Sequence, residues 1–343
     1  MTVRIAVQGA GLIGRAHIDR IVACPHGELA AIIDPAPAAA VLAARYGVAC
    51  HQTFAAMLAA GRPDGIVIAT PNQLHVAHGL AAVEAGIPAL VEKPVADDVA
   101  GATRLVDAAE RAGVALLVGH HRRHNPMIQR ARAIIAQGRL GRLVAVHAFF
   151  WLMKPDDYFD MAWRRAPGAG PILLNLIHDV DLLRYLCGEI TRVQAITSNA
   201  MRGNAVEDTA AILFQFANGA LGTATVTDSA VAPWSWEQTT GENPAYPQTD
   251  QSCYHIAGTH GALSVPKLEL WRNPGERGWW QEFSAERVYA PAEDPLRLQI
   301  DHFVRVIEGR EPPLVSGREG LRTLAVIAAI HQAAASGTTV VVS

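Results

Sequence analysis

Short apolar runs alternate with segments of helical periodicity over the first third of the chain. The apolar runs predict five strands, at residues 3–8, 29–34, 65–69, 88–91 and 115–118. The segments between and after them predict five helices, at residues 12–23, 37–45, 53–60, 73–85 and 97–112. Because the strands are apolar nearly throughout, we expect a doubly wound α/β arrangement, a parallel sheet covered by helices on both faces. Such a sheet binds its ligands at the carboxyl ends of its strands.

Beyond residue 122 strand-like stretches follow one another through short turns, and helices stand apart from them. Helices are predicted at residues 125–138, 171–187, 294–309 and 317–336. Strands are predicted at residues 142–152, 190–198, 207–217, 219–228, 253–258, 261–265, 267–271, 280–289 and 338–342. This pattern is typical of an α+β domain with a mainly antiparallel, open sheet. We therefore predict two domains, residues 1–122 for cofactor binding and 123–343 for substrate binding and oligomerisation.

Composition excludes several classes of protein. The 343 residues are 50% apolar and 18% charged with a net charge of −3, which is ordinary for a globular protein of two domains. No basic run points to nucleic acid or to a membrane surface, and no apolar stretch is long enough to span a membrane. The first strand leaves no room for a signal peptide, and the four cysteines are scattered. We expect a cytoplasmic protein with no metal site.

The first predicted strand runs directly into Gly9-x-Gly11-x-x-Gly14. Gly9 permits a tight turn, Gly11 lets a pyrophosphate approach the backbone, and Gly14 lets the next helix pack on the sheet. That helix would begin at Leu12-Ile13 and direct its free N–H groups at the phosphates. The second strand ends at Asp34, where a carboxylate accepts hydrogen bonds from ribose hydroxyls and repels a 2′-phosphate. These features indicate a Rossmann domain that binds NAD in preference to NADP.

Polar residues follow two further strands of this sheet. Thr70-Pro71-Asn72, with His75 shortly after, would cap the next helix or contact the cofactor ribose. Glu92-Lys93-Pro94 ends the fourth predicted strand, and Pro94 restricts the backbone of Lys93 and permits a cis peptide bond that would aim its side chain. A lysine there would lie near a bound nicotinamide and could exchange a proton with a substrate hydroxyl. Taken alone, Lys93 could equally be a surface lysine in a loop.

These three motifs, at their separations, resemble the glucose-fructose oxidoreductase / inositol dehydrogenase / MocA family. The similarity continues through residues 170–181 and 307–317, so that it covers essentially the whole chain. The resemblance implies a Rossmann domain followed by an α+β domain with an open sheet. It also implies NAD(P)-dependent oxidation or reduction of a sugar, cyclitol or similar polyol, with Lys93 catalytic. We expect Glu92 and Lys93 to contact the cofactor as well.

A second candidate cluster, Asn175, His178 and Asp181, has the spacing of neighbours on a helix. His178 could accept the proton of a substrate hydroxyl, and Asp181 could fix the imidazole tautomer or serve within the fold. Many members of the resembled family carry an aspartate four residues before this histidine, where this chain has Leu174. An amide is no base near neutral pH, so we expect Asn175 to orient the substrate while Lys93 and His178 handle the proton.

Other polar and aromatic residues are candidates for substrate binding. Arg122 and Arg123 follow the fifth strand of the first domain, where they could bind hydroxyls or carboxylates or pair with structural acids. Aromatic segments add Tyr158, Trp163-Arg164 and Trp236, which could stack on a sugar ring or form a subunit contact.

The sequence thus predicts an NAD-dependent dehydrogenase for a secondary alcohol of a polyol, assembled as a homodimer or homotetramer. Three alternatives stay open: a dihydrodiol-type dehydrogenase, a glycosidase that keeps NAD bound and oxidises its substrate transiently, and a non-catalytic NAD sensor. The identity of the substrate, the position oxidised, the direction of reaction and the effect of Leu174 are not decided by the sequence.

Overall fold

The structure, a computed structural model, describes residues 2–342. The chain divides into two compact units. The first comprises the chain through His124 together with Asp294–Leu324, and the second comprises Asn125–Glu293 and the chain from Ala325 onward. The sequence placed one boundary after residue 122. It could not show that residues 294–324 return to the first unit, because that depends on which core a distant helix joins.

Strands and helices are numbered here in chain order. The strands are β1 Val3–Gln8, β2 Gly27–Ile33, β3 Ala49–His51, β4 Gly65–Ile68, β5 Ala89–Val91, β6 Leu116–Val118, β7 Leu143–Trp151, β8 Ile190–Ser198, β9 Thr209–Phe216, β10 Leu221–Thr227, β11 Tyr254–Gly258, β12 Ala262–Val265, β13 Glu269–Arg272, β14 Ser284–Arg287 and β15 Val340–Val341. The α-helices are α1 Leu12–Ala23, α2 Pro37–Tyr46, α3 Phe54–Ala60, α4 His75–Glu84, α5 Val99–Ala112, α6 Pro126–Ala136, α7 Ile177–Cys187, α8 Trp236–Thr240, α9 Pro295–Ile307 and α10 Gly317–Ser336. No helix within residues 2–342 is long and apolar enough to cross a lipid bilayer.

The first unit contains a six-stranded parallel sheet in the order β3-β2-β1-β4-β5-β6. This is the doubly wound Rossmann order, and the five predicted strands are confirmed. The sequence missed β3 because it is three residues long and pairs only with β2 at the sheet edge. Ile300 and Phe303 of α9 are buried in the same core as Ile5 and Val67, so apolar burial is what joins α9 to this unit.

The second unit contains a nine-stranded sheet in the order β14-β13-β12-β11-β7-β10-β9-β8-β15. Its pairs are antiparallel except β7 with β10. Alternate residues of β9, such as Ile212 and Phe214, are buried in a core shared with α6, α7 and α10. The opposite face is more exposed, as Leu213 shows. The predicted mainly antiparallel, open sheet is therefore confirmed.

Two segments of the second unit differ from the sequence prediction. The predicted helix at 171–187 begins with a π-helical turn over Ile172–Leu176 before α7 starts. The predicted strand at 280–289 is only the four residues of β14, which pair with β13. Between β9 and β10 the chain turns at Asn218-Gly219, with Gly219 at φ 88°, and the two strands form an antiparallel hairpin.

Candidate functional site

The three glycines between β1 and α1 have distinct surroundings. Gly9 has φ 96°, and a Cβ there would lie 2.5 Å from the carbonyl oxygen of Ala69. A Cβ on Gly14 would lie 1.9 Å from the carbonyl oxygen of Gly9, whereas a Cβ on Gly11 would meet nothing within 4 Å. Gly9 and Gly14 are therefore required by packing. Gly11 leaves open space beside the backbone, which is what a ligand phosphate needs.

The start of α1 is suited to an anion. Gly11 is the N-cap and provides no side-chain cap, and the first turn carries no acidic residue. Leu12 is 93% exposed and Ile13 is half-buried, so this end of the helix is accessible. Uncapped N–H groups and the positive end of the helix dipole favour a phosphate here. The residues present therefore fit the pyrophosphate of a dinucleotide.

Asp34 follows β2 and is linked to the glycine loop. Its Oδ2 accepts a hydrogen bond of 2.8 Å from the backbone N–H of Ala10, and its Oδ1 accepts one of 2.8 Å from that of Ala36. An ionised carboxylate has about four acceptor positions. Asp34 therefore keeps acceptor capacity for ribose hydroxyls while its orientation is held by the loop.

Thr70, Pro71, Asn72 and His75 lie between β4 and the first turn of α4. Pro71 is exposed and Thr70 half-buried, and the hydroxyl of Thr70 lies 3.2 Å from Nδ1 of His78. His75 is fully buried, with Nδ1 2.8 Å from the carbonyl oxygen of Pro94 and Nε2 2.8 Å from that of Thr70. The prediction that the imidazole of His75 binds cofactor is corrected, because both ring nitrogens link the backbone segments that follow β4 and β5.

Lys93 directly follows Glu92 at the end of β5 and is half-buried, and the Lys93–Pro94 peptide is cis. The carboxylate of Glu92 is buried, with Oε1 2.7 Å from Nε2 of His17 and Oε2 accepting the N–H of Lys93 at 3.1 Å. Burial by itself raises the pKa of Glu92, but the hydrogen bond and charge of His17, with smaller effects of His121 and Lys93, lower it to about 2. Glu92 is therefore a structural anion that holds the backbone of Lys93, which corrects its predicted contact with the cofactor.

The two arginines after β6 are both buried, on a 3₁₀ turn at His121–His124. Nη1 of Arg123 lies 3.0 Å from Oε2 of Glu319, and the arginine side chain is 2% exposed. The prediction that Arg123 binds substrate is corrected in favour of the structural ion pair. The predicted contact of Arg122 with the substrate stays a prediction.

In the second unit, α7 carries His178, which is 8% exposed, and the buried Asp179 and Asp181. Asp179, which was not predicted as a site residue, accepts a hydrogen bond from the hydroxyl of Tyr254 in β11. This bond connects α7 to the sheet. The proposed effect of Asp181 on the imidazole tautomer stays a prediction.

Asn175 lies in the π-helical turn that precedes α7 and is half-buried. Its Oδ1 accepts a hydrogen bond of 2.9 Å from Nζ of Lys154. Lys154 follows β7, and burial lowers its pKa although the carboxylate of Asp228 opposes that effect. Lys154 was not among the residues predicted from the sequence. The signal that could have found it is the scarcity of lysine, because the chain has only Lys93, Lys154 and Lys267.

Of the four predicted residues of the aromatic segments, three lie close together. The guanidinium of Arg164 lies 4.1 Å from the centroid of the Tyr158 ring and 5.5 Å from that of the 51% exposed Trp163. Trp236 is 1% exposed, stacks on Tyr254 and donates from Nε1 to Oε2 of Glu242 at 3.0 Å. The prediction that Trp236 binds substrate is therefore wrong, because packing places its ring in the core.

Both parts of the chain match known protein families. Residues 3–120 match the family described as "Oxidoreductase family, NAD-binding Rossmann fold", and residues 128–264 match the "GFO/IDH/MocA C-terminal domain".

Individual relatives cover most of the chain. The chain is 28% identical to the rhizopine catabolism protein MocA of Rhizobium meliloti, over 94% of this chain and 92% of that protein. It is 34% identical to an inositol 2-dehydrogenase of Streptomyces avermitilis over 63% of each. Its fold is similar to that of the WlbA dehydrogenase from Bordetella pertussis, solved in complex with NADH and UDP-GlcNAcA. The TM-score is 0.80 and the identity 28%, with 100% of this chain and 99% of that one covered.

Proposed function

Because the chain belongs to the glucose-fructose oxidoreductase / inositol dehydrogenase / MocA family of oxidoreductases, we propose that it is an NAD-dependent dehydrogenase of a polyol. The substrate class is a sugar, cyclitol or sugar acid, and the group oxidised is a secondary alcohol. The names of the relatives support this class, since they include an inositol 2-dehydrogenase and a D-apiose dehydrogenase. The reverse reduction uses the same groups.

The residues that would hold the cofactor are in the NAD-binding Rossmann domain. The backbone at Gly11, Leu12 and Ile13 would bind the pyrophosphate, and Asp34 would accept hydrogen bonds from the adenosine ribose. Thr70, Pro71 and Asn72 would lie along the cofactor at the end of β4. When bound, the nicotinamide supplies the hydride chemistry, and the protein supplies binding and orientation.

The observation that carries the proposed mechanism is the location of Lys93 directly after β5. The carboxyl edge of a parallel sheet is where this fold binds ligands, and Glu92 holds the backbone of Lys93 through the 3.1 Å hydrogen bond. We propose that Lys93 donates a hydrogen bond to the reacting hydroxyl and that His178 accepts its proton as the carbon loses hydride. Asn175 would orient the substrate, because its amide can donate and accept hydrogen bonds but takes up no proton near neutral pH. Arg122, Tyr158, Trp163 and Arg164 are proposed as further substrate contacts.

The test is the formation of NADH, followed by its absorbance, with aldoses, aldonates, uronates, inositols and dihydrodiols as substrates. We expect turnover of one polyol class, reduced at least ~100-fold in Lys93→Ala and in His178→Asn, with NAD binding retained. Lys267→Ala is the matched control, since this lysine lies in the second unit and pairs with Asp250 at 3.2 Å. Turnover that survives Lys93→Ala would contradict the role of Lys93.

The same assay distinguishes the alternatives. Turnover of dihydrodiols alone would favour a dihydrodiol dehydrogenase. Glycoside cleavage without net NADH, by protein that retains its cofactor through purification, would favour an NAD-dependent glycosidase. NAD binding without any turnover would favour a sensor.

The predicted homodimer or homotetramer stays a prediction. The exposed face of the nine-stranded sheet contains a groove of about 770 Å³ lined by residues such as His147, Leu213, Leu221, Trp234 and His255. An apolar sheet face of this kind is typical of a surface that another subunit covers. Sedimentation of the wild type beside Leu213→Asp would test whether this face makes the contact.

A further inference from the structure

Lys154 is a buried cation in a chain whose basic residues are mostly arginines. The chain has three lysines among 29 basic residues, and the side chain of Lys154 is only 9% exposed. Its backbone N–H donates to the carbonyl oxygen of Asp228 at 2.9 Å, just beyond the ends of β7 and β10. The backbone of Lys154 is therefore held by the sheet, which limits where its ammonium group can reach.

The ammonium group contacts Asn175, Asp228 and Tyr158. Nζ donates to Oδ1 of Asn175 at 2.9 Å, lies 3.4 Å from Oδ2 of Asp228 and lies 5.0 Å from the centroid of the Tyr158 ring. Nε of Arg202 also donates to Asp228, at 2.9 Å from Oδ1. Asp228 is therefore balanced by two cations, and it keeps a partner if Lys154 is replaced.

The contact with Lys154 decides which way the amide of Asn175 faces. An ammonium group donates hydrogen bonds and accepts none, so only the oxygen of the amide can face Lys154. The NH₂ group must then be directed away from it. Within residues 2–342 the structure shows no acceptor for this NH₂ group, and Asn175 is half-buried. Two oriented donors are thus available to a ligand.

We infer that Lys154 is a positioning residue, which holds Asn175 so that its NH₂ group donates to an oxygen of the substrate. This inference rests on the proposed function, in which Asn175 orients a polyol. It adds a specificity: the substrate must offer an acceptor lone pair at this point, from a hydroxyl, carbonyl or carboxylate oxygen. Without Lys154 the amide could rotate and present its oxygen instead, at a cost in substrate binding.

The first experiment is a double-mutant cycle of Lys154→Met and Asn175→Ala, measured on the polyol that the wild type oxidises. We expect each single change to raise KM for the polyol about tenfold, the loss of one well-placed hydrogen bond, with a smaller effect on kcat. The double variant should be no worse than Asn175→Ala, because Lys154 acts through Asn175. Lys267→Met is the matched control and should leave KM unchanged. Additive effects, or an unchanged KM in Lys154→Met, would overturn the inference.

A second measurement needs neither turnover nor a Lys154 variant. In an NMR spectrum of protein labelled with ¹³C at lysine Cε, the three lysines yield three signals. Lys93→Ala removes one signal and Lys267→Met removes another, so the signal that remains in both variants belongs to Lys154. Asn175→Ala should shift the Lys154 signal and leave that of Lys267 in place. An unmoved Lys154 signal overturns the inference. A moved signal in a protein that oxidises no polyol supports the contact and shows that it is the proposed function that has failed.

Discussion

Nε2 of His17 in α1 lies 2.7 Å from Oε1 of Glu92 after β5, and both side chains are buried. The pair connects the helix that follows the glycine loop to the strand end that carries Lys93. Because Glu92 also accepts the N–H of Lys93, His17 supports the backbone on which the candidate catalytic lysine stands.

Replacing His17 should destabilise the first unit. His17→Ala leaves the Glu92 carboxylate buried without its main partner, and the expected loss in free energy of unfolding is about 3 kcal/mol. Urea unfolding of the wild type and the variant measures it. Adding Glu92→Gln should recover part of the loss, since it removes the uncompensated charge. A double variant as unstable as the sum of both single changes would argue that the two side chains do not interact.

The same pair predicts a pH dependence of stability. The pKa of Glu92 in the folded protein is about 2, below its ordinary value of 4.5. A lowered carboxyl pKa stabilises the fold above about pH 4.5, and that contribution is lost as the pH falls toward about 2. Glu92→Gln should therefore flatten the decline of unfolding free energy in this range. An identical acid decline in Glu92→Gln would exclude Glu92 as its source.

Replacement by alanine should affect stability at Gly14 and NAD binding at Gly11. A Cβ on Gly14 would lie 1.9 Å from the carbonyl oxygen of Gly9, so Gly14→Ala should destabilise the protein by about 2 kcal/mol or more. A Cβ on Gly11 meets nothing, so Gly11→Ala should fold normally but bind NAD at least about tenfold more weakly, a cost of about 1.4 kcal/mol. Thermal unfolding and NAD titration separate the two effects. Normal NAD affinity in Gly11→Ala would mean that the pyrophosphate does not approach this backbone.

Asp34 should decide the preference for NAD over NADP. Asp34→Ser removes the charge that repels a 2′-phosphate and the acceptor for the ribose hydroxyls, so NAD affinity should fall about tenfold while NADP affinity rises. Asp34→Asn is the matched variant, because its single side-chain oxygen can take the place of Oδ2 and accept the N–H of Ala10. Titration of both variants with both cofactors is the measurement. If NADP binds Asp34→Ser no better than the wild type, the carboxylate does not exclude the 2′-phosphate.

Two tryptophans predicted to share a role should differ sharply. Trp236→Ala empties a core position and removes a hydrogen bond to Glu242, so we expect a loss of about 3–5 kcal/mol in unfolding free energy. Trp163→Ala changes a half-exposed residue and should alter stability by less than about 0.5 kcal/mol while raising KM for the polyol. Chemical unfolding and substrate kinetics compare them. A stable Trp236→Ala with impaired substrate binding would restore the role that the sequence suggested.

The sequence predicted well whatever depends on neighbours along the chain. Continuous apolar runs identified the five strands, and the glycine spacing identified the turn into α1, because both follow from local backbone geometry and side-chain periodicity. It predicted poorly the burial of single side chains. Tryptophan and arginine are residue types that are common in binding sites. Only the stacking of Trp236 on Tyr254 and the ion pair of Arg123 with Glu319 show that these two side chains are structural.

The sequence by itself determined that the first sheet is parallel and doubly wound, that the second sheet is mainly antiparallel, and which family the chain belongs to. Only the tertiary structure joined α9 to the first core, paired His17 with Glu92 and brought Lys154 to Asn175. The reason is physical. Strand and turn preferences act over a few residues. Lys154 and Asn175, by contrast, are 21 positions apart, and His17 and Glu92 are 75 positions apart. Which of these distant residues meet is decided by the surfaces that the whole chain buries together.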